Sequence, residues 1–164
     1  MRKTPLFFAL LGSLFMTSAA YAQNATQIAK IRNGAKSCAR CNLFQADFSY
    51  QNLPWRTLNG ARLRQADLSL STMDHSNFSA ADLSVANMFG GRFTRASFIN
   101  TNLRKANMVG VYAGYADFTG ADLTGACLSG ANLTGAHITQ AQLNKACGDN
   151  STILPAGMTI PACY

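Results

Sequence analysis

The chain has 164 residues, with fourteen Lys and Arg against seven Asp and no Glu, a formal charge of +7. That length suits one domain. Without Glu, and with its Asp residues spread singly, it offers no paired carboxylates for general acid–base catalysis. The positive balance favours encounter with anionic surfaces without specifying a ligand.

Residues 1–22 read as an export signal. Arg2 and Lys3 open it, Leu6 to Phe15 is mostly apolar and too short for a comfortable membrane span, and Ala20-Tyr21-Ala22 sets small residues where a signal peptidase reads. A membrane-anchoring helix would need a longer apolar run. The expected mature chain starts at Gln23 and keeps twelve Lys and Arg against seven Asp. It is exported, to the periplasm or the medium, and no later stretch approaches transmembrane length.

Residues 23–40 form the next unit, an N-terminal helical cap. Within it NATQIAKIRNGAKS sets Ile28 and Ile31 among Lys and Arg, which predicts a short amphipathic helix ending near Gly34.

From 41 to 145 the chain repeats itself. Every fifth residue from Leu43 to Leu143 is Leu, Phe, Met or Ile, with Ala113 the one exception among twenty-one positions. Two residues before each stands a small side chain, thirteen times Ala; the misfits are Gln51 and Arg56. A period of five matches neither the 3.6 of a helix nor the 2.0 of a strand. A chain that turns a corner every five residues keeps both columns inside, and four corners set residue i over residue i−20. Backbone amides then pair with the coils above and below.

The units Ala81-Asp82-Leu83, Ala121-Asp122-Leu123 and Ala131-Asn132-Leu133 resemble those of the pentapeptide repeat proteins. The resemblance implies an all-β solenoid: a right-handed quadrilateral β-helix with four repeats per coil. Twenty-one units then make about five coils, at about 4.8 Å per neighbouring strand a rod about 25 Å long. Gln51, Pro54 and Arg56 predict a bulge or distorted corner within 51–60, since Pro removes a ladder donor. At Ala113, Phe93 and Leu133 must close in or leave a small void.

Residues 146–164, ACGDNSTILPAGMTIPACY, abandon the repeat for Gly, Pro and turn residues alternating with apolar ones. This predicts a loop folded across the last coil as a C-terminal cap.

The five cysteines all lie in the exported part, where disulfides are the default. Cys38 and Cys41 join the helix to the first coil, and Cys147 with Cys163 closes the C-terminal loop, at about 3 kcal/mol in the chain-entropy model. The second pairing explains a cysteine at the extreme tail and leaves Cys127 free. The rival, Cys127 with Cys147, joins residues stacked one coil apart. A redox Cys-x-x-C needs a βαβ context, haem attachment needs His where Asn42 stands, and zinc needs a second ligand pair.

Read as columns of residues twenty apart, one face holds Trp55, His75, Arg95 and Tyr115, with Arg92 and Tyr112 beside them. Aromatic and guanidinium groups about 4.8 Å apart can stack as a cation–π ladder, and such a strip suits a polyanion or glycan. The alternative is that these are outward positions free to vary, whose stacking only stabilises the rod. A second face, with Arg62, Arg64, Arg104, Lys105 and Lys145 interrupted by Asp82 and Asp122, reads as solvated. Phe78, Phe98 and Phe118 point inward as core. Asp74 beside His75 lies on an outward corner without a cleft, and no phosphate-binding or dinucleotide fingerprint is present.

These observations predict a non-enzymatic exported scaffold or interaction module with no cofactor or metal, binding a protein or an anionic envelope component rather than nucleic acid. Two alternatives stand beside it. Some pentapeptide repeat proteins protect DNA gyrase by mimicking DNA with a negative surface, which the basic charge and the export signal disfavour. A thiol-redox role would use Cys38 and Cys41, or Cys127.

Overall fold

The structure, a computed structural model, describes residues 24–164; the export signal expected over 1–22 lies outside them. Residues 24–32 form a helix, α1. From 37 onward the chain turns every five residues and pairs with itself twenty residues later. Parallel bridges join Asn42 to Arg62, Arg62 to Asp82, Asp82 to Asn102 and Asn102 to Asp122, and the same step recurs on the other three sides.

Each side is built alike. Its first and third residues point inward and are buried, save the half-buried Cys41 and Gln51 in the first coil, its second bridges to the coils above and below, and its fourth and fifth make the corner. The third-position amide donates to the carbonyl nineteen residues on, as Phe48 does to Asp67 at 2.7 Å, while Asp67 donates back to Ala46 at 2.9 Å. The register expected from the sequence is present, but the strands are not. Among the described residues the β pairings are isolated bridges. With two corner residues after every three extended ones, no side is long enough to run a ladder.

The corners explain the Asp and Asn of the repeat. Such a side chain accepts the amide two residues on: Asp47 from Ser49 at 2.9 Å, Asp82 from Ser84 at 3.0 Å, Asn132 from Thr134 at 3.0 Å. This local bond ties the corner that the chain must make. The fifth residue has φ between +54° and +72° at the corners from Arg40 to Gly135. Thirteen of the described residues in this left-handed region are not glycine, each at a conformational cost met by the pairing around it.

The same bonds set an acid limit. The hydroxyl and amide of Thr124, then Arg104, hold the Asp122 carboxyl down at about 2. Asp47, Asp117 and Asp149 shift the same way, chiefly through the hydroxyls of Ser49, Thr119 and Ser151. A depressed folded-state pKa stabilises above the unfolded value, about 3.9, and that contribution is lost as pH falls through the folded value. Urea midpoints should therefore fall between pH 4 and pH 2, taking the unfolded value as about 4 and the folded one as about 2. Asp122→Asn keeps the amide-accepting oxygen but not the charge, and should flatten that decline; an unchanged pH slope in this variant would contradict the assignment.

Inside, the third-position side chains form one core. Phe78, Phe98 and Phe118 stack, with centroids 5.2 and 5.0 Å apart, and Phe93 tilts against Phe98 at 5.8 Å. Gly91 makes room for this: a Cβ there would lie 2.6 Å from the Phe93 ring. Ala113 is fully buried.

The corner distorted by Gln51, Pro54 and Arg56 is confined to residues 53–56. Elsewhere the first residue of a side donates to the third residue of the side before, as Ala46 does to Leu43 at 3.0 Å. Here the Arg56 amide donates to the Ser76 hydroxyl at 2.9 Å, and that hydroxyl lies 3.5 Å from the Leu53 carbonyl. Ser76 thus stands inside the turn as a water molecule would. The register survives, since Asn52 still bridges Thr72 and Thr57 still bridges Asn77.

At the N-terminal end α1 lies across the first coil with Ile31 buried. Its side chains answer backbone groups that have no coil beyond them. Gln27 accepts the Asn42 amide at 2.7 Å, Asn24 donates to the Phe44 carbonyl at 3.1 Å, and Arg32 donates to the Asp47 carbonyl through Nε at 2.9 Å and through Nη2. At the other end the last unit of the expected 41–145 repeat departs from it: Gln140–Leu143 is a short helix, α2. Thr139 and Gln142 form its capping box, a pairing that favours a helix start over a corner. The Gln142 side-chain amide donates to the Phe118 and Ala121 carbonyls at 2.7 and 2.9 Å, at Ala121 in place of a backbone donor. Beyond α2 the chain is not merely a loop. Cys147 bridges Cys127, and Ile153 bridges Asn132 with a step of one extra residue.

Candidate binding face and cysteine cluster

Trp55, His75, Arg95 and Tyr115 occupy successive corners of one side, each at a fifth position with φ between +57° and +61°. That conformation turns each side chain out of the coil, so that neighbours one coil apart overlap. The Trp55 and His75 rings stack with centroids 4.0 Å apart and planes 2° from parallel, and the Arg95 guanidinium carbon lies 5.8 Å from the Tyr115 centroid. The expected ladder is therefore one stacked pair and one looser cation–π contact. Tyr115 in turn covers Gly135, where a Cβ would lie 2.6 Å from its ring, so this corner (φ +64°) requires glycine for the ring to lie flat. Trp55 and Tyr115 remain 62% exposed and Tyr112 54%. Flat rings held open to solvent are a docking surface in form.

Arg92 and Tyr112 belong to the same side, bridged to each other. Arg92 is not an uncommitted cation: its Nη2 lies 3.0 Å from Asp74 Oδ2. Asp74 also accepts the Thr94 amide at 2.8 Å, so it is a structural group and not half of a dyad with His75. That ion pair offsets part of the positive charge of the face. On the second face Arg104 pairs with Asp122 at 3.0 Å, and Asn42, Phe44, Arg62, Arg64 and Asp82 line a shallow depression of about 270 Å³.

The cysteines gather at two places. Cys38 and Cys41 meet with sulfurs at bonding distance and Cα atoms 5.4 Å apart; Cys147 and Cys163 do so at 4.8 Å. Cys127 is left outside both pairs, as the preferred pairing has it, but it has close sulfur neighbours. Its sulfur lies 3.2 Å from that of Cys163, and the three sulfurs of Cys127, Cys147 and Cys163 lie within 4.8 Å of one another. Reading columns twenty apart finds Cys127 under Cys147 but cannot find Cys163, whose position depends on the aperiodic tail. Among the described residues no helix is long and apolar enough to cross a membrane.

The family model for pentapeptide repeats, in eight copies, matches residues 57–88, 76–112 and 115–147. No curated protein matches the chain by sequence. Among solved structures, it is similar to HetL, a pentapeptide repeat protein involved in heterocyst differentiation regulation from the cyanobacterium Nostoc, with 27% identity and a TM-score of 0.66 over 85% of this chain and 53% of HetL. A pentapeptide repeat protein of the Arabidopsis thaliana thylakoid lumen matches at 33% identity and TM-score 0.47 over 48% of this chain and 54% of that one. A third, also from Nostoc, matches at 22% and 0.48 over 82% and 87%. The chain thus spans about half the length of the first two.

Proposed function

The chain belongs to the pentapeptide repeat family, whose members fold as right-handed quadrilateral β-helices, and from that premise we propose that it is a non-enzymatic exported scaffold presenting one rigid face to an anionic component of the cell envelope. On this reading the coil is right-handed and makes about five turns, counting twenty residues to each. Residues 1–22 are removed on export to the periplasm or the medium. The segments 23–40 and 146–164 close the ends of the 41–145 repeat, a role supported by side chains of α1 and α2 that satisfy its outermost backbone groups. In an oxidising compartment Cys38–Cys41 and Cys147–Cys163 are disulfides.

The observation that carries the reading is the open stack of Trp55 on His75 and the cation–π contact of Arg95 with Tyr115 on the same side. Rings fixed by their corners lose little freedom when a partner docks, which favours binding. Arg95 adds charge, and the mature excess of Lys and Arg over Asp attracts an anionic partner over a longer range. Among the described residues the interior is filled by Phe, Leu and Met side chains, which favours binding on the surface over a buried substrate site.

The test is sedimentation of purified mature protein with envelope fragments. Replacing Arg92, Arg95, Tyr112 and Tyr115 together by Ala should lower the bound fraction at least about tenfold, as expected when a few aromatic and Arg anchors dominate. Circular dichroism should show the coil intact. Retention equal to that of the parent protein would discard this face.

A further inference from the structure

We propose that Cys127, Cys147 and Cys163 form an intramolecular thiol–disulfide exchange site, through which the C-terminal segment passes its covalent tether between two neighbouring coils. The inference goes beyond the envelope-binding reading and does not depend on it.

Three observations meet at this point. The Cys127 sulfur lies 3.2 Å from the Cys163 sulfur, which is already bonded to Cys147. Cys127 and Cys147 are joined by a backbone bridge, so either can reach the same tail residue without a change in the coil. And Cys127 does not accept the amide of its own corner; its thiol only donates to the Ser129 hydroxyl at 3.6 Å. The residues below it in the column hold theirs: Asp67 accepts the Ser69 amide at 2.9 Å and Asn87 that of Phe89 at 3.3 Å, while Asn87 and Asn107 also donate down the column at 3.2 and 3.0 Å. A thiol is a weak acceptor and a weak donor. Its place in that ladder is explained by sulfur chemistry, not by the repeat. The Ser129 hydroxyl, 3.6 Å from both the Cys127 and the Cys163 sulfurs, adds a polar neighbour on the open side.

The step is an exchange at constant oxidation state. Cys127 loses its proton to solvent and attacks Cys163 Sγ as thiolate. The Cys127–Cys163 bond forms as the Cys147–Cys163 bond breaks, and Cys147 leaves as a thiolate that takes up a proton. One disulfide and one thiol exist before and after, so no external oxidant or reductant takes part. The tail stays tethered throughout, and the thiol moves from one coil to the next.

Trypsin separates the two isomers cleanly, because the chain has no Lys or Arg between Lys105 and Lys145 or after Lys145. The Cys147–Cys163 bond closes within the fragment 146–164, whereas Cys127–Cys163 links it to the fragment 106–145. Air-oxidised mature protein held at neutral pH, then acid-quenched, alkylated and digested without reductant, should yield both forms. The alkyl group should be shared between Cys127 and Cys147. Cys147→Ser should convert the protein to the linked form, and Cys127→Ser to the internally closed one. The proposal is overturned by alkylation confined to Cys127 together with a Cys147→Ser variant that leaves Cys127 and Cys163 both alkylated. A Cys127–Cys147 link with Cys163 free, or three free thiols after air oxidation, overturns it equally.

Discussion

Deleting Asn100 alone should abolish cooperative folding, whereas deleting residues 81–100 as a block should leave a shorter folded protein. The difference follows from the bridges, which join residues twenty apart on all four sides. Removing twenty residues sets Thr101 in the place of Ala81 and Phe118 in the place of Phe98, so every downstream residue keeps its position in its side. Removing one moves Asn102 to an inward position and Leu103 to an outward one. The same error is repeated at Met108, Phe118, Leu123, Leu128, Leu133, Ile138 and Leu143, all buried in the intact coil. Each large side chain contributes about 1.5–3 kcal/mol by burial, so eight of them match or exceed the roughly 5–15 kcal/mol by which a domain is stable. A deletion is tolerated only if one corner absorbs it. The chain does carry one extra residue between the Cys127–Cys147 and Asn132–Ile153 steps, but there almost nothing of the coil lies downstream. Size-exclusion chromatography and urea unfolding of the two variants decide the matter. A cooperative transition near the parent midpoint after loss of Asn100, or an unfolded block deletion, would refute the register argument.

How much of this was legible in the sequence depends on distance along the chain. The inward columns were plain because a period of five repeats itself twenty-one times and needs only hydrophobicity to be seen. The face of Trp55, His75, Arg95 and Tyr115 followed from counting by twenty, and the structure brings those residues together as one stacked pair and one cation–π contact. Counting by twenty also has a blind spot. The ion pairs Arg92–Asp74 and Arg104–Asp122 join residues eighteen apart, since a second position reaches diagonally to a fourth position one coil away. A column never displays that diagonal, so Arg92 read as an open cation. The left-handed corners were hidden for another reason. Glycine marks some of them, but Tyr50, Trp55 and Leu70 hold the same conformation, forced by the pairing of coils and not by local preference. The helix Gln140–Leu143 was masked by Ala141 and Leu143, which continue the repeat in letter while Thr139 and Gln142 cap a helix. Cys163 was out of reach altogether, because no period governs the tail.

Truncating Phe98 to Ala should cost about 3–5 kcal/mol, a value typical of buried aromatic residues, and should also loosen the coupling between coils. Phe98 has ring neighbours on both sides, Phe78 at 5.2 Å and Phe118 at 5.0 Å, with Phe93 at 5.8 Å. In a stacked repeat, stability is a sum of unit terms and nearest-neighbour interfaces. A residue that belongs to two interfaces therefore counts twice, and its loss leaves a void that the fixed backbone cannot close. Phe48 is as deeply buried but lies outside this stack, and serves as the reference. Guanidinium unfolding of Phe98→Ala should show the larger fall in midpoint, with a shallower slope if the two halves begin to unfold separately. A double-mutant cycle of Phe98→Ala with Phe118→Ala should return a coupling of about 0.5–1.5 kcal/mol, as for a ring pair beyond its buried area. Additive losses across that cycle, together with equal costs at Phe48 and Phe98, would mean that the rings act as separate fillers and that the stack does not bind one coil to the next.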